Sequence, residues 1–168
     1  MRSPYNKVQL VVTDTGPLIA LARCGYLRLL SLLFNEIIVP ETVKQELCLD
    51  QDLPGVLVLR EELFDNDAFQ VVSADSIDLE LSRLLDPGEA EAISLAHEHN
   101  GILLIDERKG RHVALKRGIP IIGTGRVLVI AKQKGYLDCV DMALNKLRAS
   151  GYRLSDSLCE ELIRLAGE

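Results

Sequence analysis

Short, uninterrupted apolar runs alternate with segments of helical periodicity along this chain. That alternation limits the fold more than any other feature. VQLVVT (8–13), EIIVP, GILLIDE and IPIIGT are dominated by aliphatic and β-branched residues. A strand apolar on both faces must be covered on both faces, which suits a parallel sheet between helical layers. PLIALARCGYLRLLSLLF repeats apolar residues at helical spacing and breaks at Gly25, predicting helices over about 17–23 and 26–32. PETVKQELCLD opens a third helix, and FQVVSA reads as an edge strand. QDLPGVLVLREELFDND, with its turn signals and charge, reads as loop with a short helix. SIDLELSRLLD predicts a helix with Ile77, Leu81, Leu84 and Leu85 on one face. PGEAEAISLAHEHN predicts another, stopped at Asn100-Gly101. KGRHVALKRG is a helix closed by Gly118, and GRVLVIAKQKGYL is one ending at Gly135. Two helices of roughly 138–149 and 155–166 complete the chain. The expected architecture is α/β, a three-layer α/β/α sandwich with a central, mainly parallel sheet. A length of 168 residues suits a single domain over 1–168, with a core over about 8–137 and C-terminal helices over about 138–166.

In such sheets the ligand site lies at the carboxyl ends of the strands. Two strands end in acid there, at Asp14 and Asp106, and right-handed crossovers bring both ends to one side. Glu46, in the third helix, and Glu89, opening GEAEAISLA, also lie beside small or apolar residues. Hard cations such as Mg²⁺ or Mn²⁺ take oxygen ligands of this kind. Without a cation, close carboxylates repel and raise one another's pKa. Each acid also has a plainer reading. Asp14 stands where it can cap TGPLIALA, and Glu89 suits the helix dipole. Glu46 reads as a solvated helix residue, and Asp106 as a cap of the next helix.

Charge and composition narrow the function. Hydrophobic residues make up 48% and charged residues 26%, a globular balance rather than a disordered one. No apolar run reaches the roughly 18 residues of a membrane helix. MRSPYNK lacks the apolar region of a signal peptide. A cytoplasmic protein with no membrane partner is expected. A net charge of −6 argues against simple coating of duplex nucleic acid, but not against a nuclease whose site is itself carboxylate-rich. DERKGRHVALKRG meanwhile crowds Arg108, Lys109, Arg111, Lys116 and Arg117 together. Cys24, Cys48, Cys139 and Cys159 form no C-x-x-C pair, so buried, reduced thiols are expected rather than structural zinc.

VVTDTGPLIALA, IIVPETVKQEL, LDPGEAEAISLA, LLIDERKGR and GIPIIGTGRVLVIAKQKGYL, in this order over about residues 8 to 137, resemble a PIN domain, most closely the prokaryotic subgroup related to VapC-type toxins. The resemblance implies a Mg²⁺- or Mn²⁺-dependent ribonuclease that hydrolyses RNA phosphodiester bonds. It implies frequent homodimers, and inhibition by a cognate antitoxin where the protein is a toxin. Residue by residue, Asp14 matches the acid after the first strand and Glu46 the glutamate of the V-x-x-E-L helix. Asp106 matches the acid closing the fourth strand. Many relatives carry Asp as the third acid, where this chain offers Glu89 or Glu91. Glu89 is preferred because it leaves Ala92, Ile93 and Ala96 toward the core and Glu91 toward solvent. Glu107 raises a similar ambiguity beside Asp106. Thr15 fits a hydroxyl that supports the first acid. Asp14, Glu46, Glu89 and Asp106 are thus the expected catalytic and metal-binding residues. Arg108, Lys109 and Arg111 are expected to steer the RNA backbone, against the plainer reading of a solvated helix face.

Other classes fit less well. The DTG after the first strand lacks the second acid of a D-x-D phosphatase and the acid pair of a receiver domain. Neither G-x-G-x-x-G nor G-x-x-x-x-G-K-[ST] occurs, so a nucleotide-binding loop is not expected. The remaining alternative is a catalytically inactive PIN-like binding or dimerisation module.

Overall fold

The computed structural model describes residues 10–168. Five strands form one sheet, β1 (Leu10–Thr13), β2 (Glu36–Pro40), β3 (Phe69–Val72), β4 (Ile102–Leu104) and β5 (Ile121–Ile122), in the order β3-β2-β1-β4-β5. Every pairing is parallel. The expected sandwich is therefore realised, with a sheet that is wholly rather than mainly parallel. The start of the predicted first strand, 8–9, lies outside the described residues.

Strand alternation divides the interior. Val11, Ile37, Val39, Leu104 and Ile122 pack into one apolar cluster, and Val12, Ile38, Leu103 and Ile105 into the other. Successive side chains of a strand point to opposite faces, so each strand feeds both clusters. The first face is covered by α1 (Thr15–Arg23), α2 (Arg28–Leu33), α4 (Val56–Asp65), α8 (Thr124–Gln133), α9 (Val140–Ala149) and α10 (Asp156–Leu165). The second is covered by α5 (Leu79–Leu84), α6 (Pro87–Glu98) and α7 (Arg108–Lys116). The short α3 (Glu41–Glu46) follows β2 without a break. No helix among the described residues is long and apolar enough to cross a membrane.

Three expectations are corrected. The segment read as loop with a short helix carries the ten-residue α4, whose Val56, Leu59 and Leu63 are buried. The expected apolar face of Ile77, Leu81, Leu84 and Leu85 is split, because α5 has only six residues. Leu81 and Leu85 are buried, whereas Ile77 and Leu84 are exposed. All four cysteines are free, as expected, but only Cys24 and Cys159 are buried.

Candidate active site at the carboxyl edge of the sheet

Asp14 directly follows β1. Its backbone N–H donates to the Leu104 carbonyl at 3.0 Å, which continues the ladder to β4 and holds the strand end in place. Asp14 occupies the N-cap position of α1, yet its side chain makes no capping bond. The capping reading therefore fails. Asp86 and Glu107, by contrast, do cap their helices. The Asp14 side chain is buried, at 7% exposure. Burial pushes its pKa up from 3.8 to about 6, and the nearby charges of Asp86, Glu46 and Asp106 add to the rise.

Glu46 arrives from the last residue of α3 and is exposed. Its carboxylate accepts a hydrogen bond from Thr15 Oγ1. This corrects the expected role of Thr15, since its hydroxyl serves Glu46 and only its backbone amide serves Asp14. The Glu46 carboxylate also lies against Gly88 in the first turn of α6. A Cβ at Gly88 would stand 2.7 Å from either carboxylate oxygen, so glycine is what lets α3 reach α6 here.

Glu89 is buried in that same turn. Its backbone N–H donates to Asp86 Oδ1 at 2.9 Å, and its own carboxylate accepts from the Asp86 N–H at 3.4 Å, a reciprocal capping box. Burial, followed by the charges of Asp86 and Asp14, pushes its pKa up to about 7. Gly110 of α7 also lies close to this carboxylate; a Cβ there would stand 3.3 Å from Oε1 and 2.5 Å from Ile105 Cδ1.

Asp106, two residues past β4, is half-buried. It does not cap α7, where Glu107 takes that place by accepting from Lys109 N at 2.7 Å and Gly110 N at 3.0 Å. Instead Asp106 reaches the start of α8, accepting from Thr124 N at 2.8 Å and Thr124 Oγ1 at 2.5 Å.

Glu91 faces away from this group. It is buried rather than turned to solvent, contrary to expectation, and accepts from Thr42 N at 2.8 Å and Ala74 N at 3.1 Å. Its oxygens tie α3 and the chain after β3 to α6.

Asp14, Glu46, Glu89 and Asp106 thus converge on one edge, with Asp86 as an acid that sequence reasoning passed over. The signal for Asp86 was present: an Asp before Pro87, with Glu three residues on, marks a capped helix start. Among the described residues none of these acids forms an ion pair with Lys or Arg, since the pairs join Arg117 to Asp78 and Glu80, Lys132 to Glu168, and Arg148 to Asp156. Among the described residues no three His, Cys, Asp or Glu side chains are grouped so that they could hold a metal ion as they stand. Thr15, the Asp86 amide and Thr124 donate to Glu46, Glu89 and Asp106 respectively. Oxygen is the only kind of donor these side chains offer, and it is the kind that hard divalent cations take.

A family model for DUF3368, described as a PIN domain, matches residues 10–168. The chain belongs to the PIN-domain family. A solved structure of a PilT N-terminus domain protein from the hyperthermophilic archaeon Sulfolobus solfataricus P2 is similar at 16% identity and a TM-score of 0.48, over 73% of this chain and 93% of that one. No curated protein matches this chain.

Of the basic residues beside the PIN-domain acids, Arg108 and Lys109 are exposed. Arg111 is turned partly inward, its Nη1 donating to the Ile105 carbonyl at 2.9 Å. A cleft of about 300 Å³ opens beside Asp106, lined by Arg111, Arg126, Tyr152 and Arg153. Burial, and then the charge of Asp106, pushes the Tyr152 phenol well above its ordinary value. Tyr152 and Arg153 come from the α9–α10 connection, and no local pattern in the sequence marks them.

Proposed function

We propose that this PIN-domain protein is a divalent-metal-dependent endoribonuclease whose Asp14, Glu46, Glu89 and Asp106 hold Mg²⁺ or Mn²⁺. The observation that carries the reading is Asp14, a buried strand-end carboxylate with no cationic partner among the described residues and a pKa raised among other acids. Leaving several such charges together is costly unless a cation offsets them. A bound Mg²⁺ or Mn²⁺ supplies Lewis acidity to a phosphodiester and to an attacking water. Thr15 fixes Glu46, Thr124 fixes Asp106, and Asp86 orients Glu89. The substrate edge faces solvent beside the basic start of α7, where Arg108 and Lys109 meet the RNA backbone.

The same reading extends to a cytoplasmic toxin restrained by a cognate antitoxin and working as a homodimer. Leu57 and Phe64, exposed on α4, support a contact with a second copy. The competing reading is a PIN-like binding or dimerisation module, favoured by the protein donors that already occupy Glu46 and Asp106.

Cleavage of a mixed single-stranded RNA panel in Mn²⁺, Mg²⁺ or EDTA separates the two. The nuclease cuts with metal, is silent in EDTA, and loses at least about a hundredfold in rate on Asp14→Asn. Equal cutting by wild type and variant removes Asp14 from the site. No cutting, together with no Mn²⁺-induced rise in melting temperature, favours the binding module.

A further inference from the structure

At the carboxyl end of the sheet, the rung that should follow the last β4–β5 bond is replaced by two side-chain bonds. Leu103 pairs with Ile121 and Leu104 with Ile122, and the Ile105 N–H donates on to the Ile122 carbonyl at 3.0 Å. In a parallel ladder a residue's carbonyl accepts from the amide one position past its partner. The next rung would therefore run from the Thr124 N–H to the Ile105 carbonyl. Instead the Thr124 N–H donates to Asp106 Oδ1 at 2.8 Å, and the Ile105 carbonyl accepts from Arg111 Nη1 at 2.9 Å.

The two bonds depend on each other. Ile105 has no exposed surface, so its carbonyl cannot turn to water, and a buried carbonyl without a donor is costly. Arg111 supplies that donor. Glu107 caps α7, and Arg111 lies one turn in from it. Side chains of a helix lean toward its N-terminus, which sends this guanidinium back to the strand end. Gly123, at the open rung, leaves the space. Its backbone is extended and does not itself require glycine. A Cβ there, however, would stand 3.0 Å from Arg111 Nη1 and 3.2 Å from Asp106 Oδ1. Among the described residues Arg111 forms no ion pair, so it acts on Asp106 through the backbone and not by direct pairing.

We infer that Arg111 is the positioning residue for Asp106: it takes over the Ile105 carbonyl, which releases the Thr124 amide to fix the Asp106 carboxylate at the acid edge. Without Arg111 the amide returns to its ladder partner, and one Asp106 oxygen loses its donor. The same exchange withdraws Arg111 from the cations expected to meet RNA and leaves that contact to Arg108 and Lys109. The exchange of bonds stands on geometry alone, whereas its consequence for catalysis rests on the nuclease reading.

The exchange is tested by ¹⁵N–¹H NMR of the full, metal-free chain. Asp106→Ala shifts the Thr124 amide resonance strongly in the wild-type background. In the Arg111→Ala background the same change shifts it far less, because the amide is already on Ile105. Gly123→Ala keeps every charge but crowds the same two atoms. It weakens the response likewise, and carries the test if Arg111→Ala does not fold. Equal shifts in all backgrounds overturn the inference. Calorimetric titration with Mn²⁺ reads the consequence, with affinity lower by roughly tenfold in both variants. At saturating Mn²⁺, kcat for an oligouridylate falls roughly a hundredfold while KM is unmoved. Unchanged Mn²⁺ affinity and kcat in a wild type that binds and cuts overturn the inference. So does a logarithmic salt slope of oligouridylate binding that drops by about 0.7 in Arg111→Ala, the mark of a lost phosphate contact. If the resonances behave as stated but wild type neither binds Mn²⁺ nor cuts RNA, the positioning of Asp106 stands and the nuclease reading fails.

Discussion

Asp14 and Glu91 are both buried carboxylates, at 7% and 5% exposure, with different hydrogen-bond partners. Glu91 is met by two backbone amides, those of Thr42 and Ala74. Asp14 finds no capping bond and no cation among the described residues; the Thr15 amide serves it, and its charged neighbours are Asp86, Glu46 and Asp106. Similar burial therefore has opposite meanings. An acid saturated by N–H donors holds parts of the fold together. An acid left to face its own kind costs stability in the free protein.

The largest effect expected from this contrast is at Glu91. Glu91→Ala strips two amides of their acceptor at once, each worth about 1–3 kcal/mol. Denaturant titration should show a loss of about 4 kcal/mol, with a melting point lower by roughly 8–16 °C. A change below about 1 kcal/mol would mean water replaces the carboxylate and the tie is not structural.

Next in size is the pH dependence of the metal-free protein. Asp14 has a folded pKa of about 6 against 3.8 in the unfolded chain. Between those values the folded state keeps a proton that the unfolded state has lost, so stability falls as pH rises. Glu89 extends the fall to about pH 7. The Asp14 contribution is at most about 3 kcal/mol. Unfolding in EDTA should therefore be easier at pH 8 than at pH 5. Mn²⁺ should reverse the difference, and Asp14→Asn should flatten the Asp14 part of the curve. Stability that climbs over this range would contradict the contrast directly.

The smallest effect is at Gly88, and it sharpens the comparison rather than breaking it. The Cβ of Gly88→Ala displaces the flexible end of Glu46, so melting should move by no more than about 2 °C. Calorimetric titration should nonetheless show Mn²⁺ affinity lower by roughly tenfold, the usual cost of disturbing a ligand's support. Unchanged affinity would take Glu46 out of the ligand set.

Much of this was legible in the sequence, for identifiable reasons. β1, β2 and β4 stand out because strands buried on both faces must be apolar throughout, and the acids that end two of them interrupt that pattern abruptly. α4 was obscured because a Pro54-Gly55 turn precedes it and Arg60, Glu61 and Glu62 interrupt its apolar residues between Leu59 and Leu63. Glu89 and Glu91 are two residues apart on one helix, and periodicity assigned only Glu89 inward. It could not anticipate that Glu91 meets amides brought in from α3 and from the chain after β3. Tyr152 and Arg153 meet Asp106 only through tertiary packing, which no local spacing encodes.

The position of β1 in the middle of the sheet has a consequence for the order in which the protein comes into being. Its two neighbours are β2 and β4, and the amide of Asp14 is secured by a carbonyl at Leu104. Pairings so distant along the chain cannot form until the later partner has been made. Asp106 in turn is held from Thr124. A chain emerging from the ribosome therefore carries its first acid early but has no assembled acid edge until most of its length has been synthesised. Whatever chemistry these carboxylates perform is withheld from the nascent protein by topology alone.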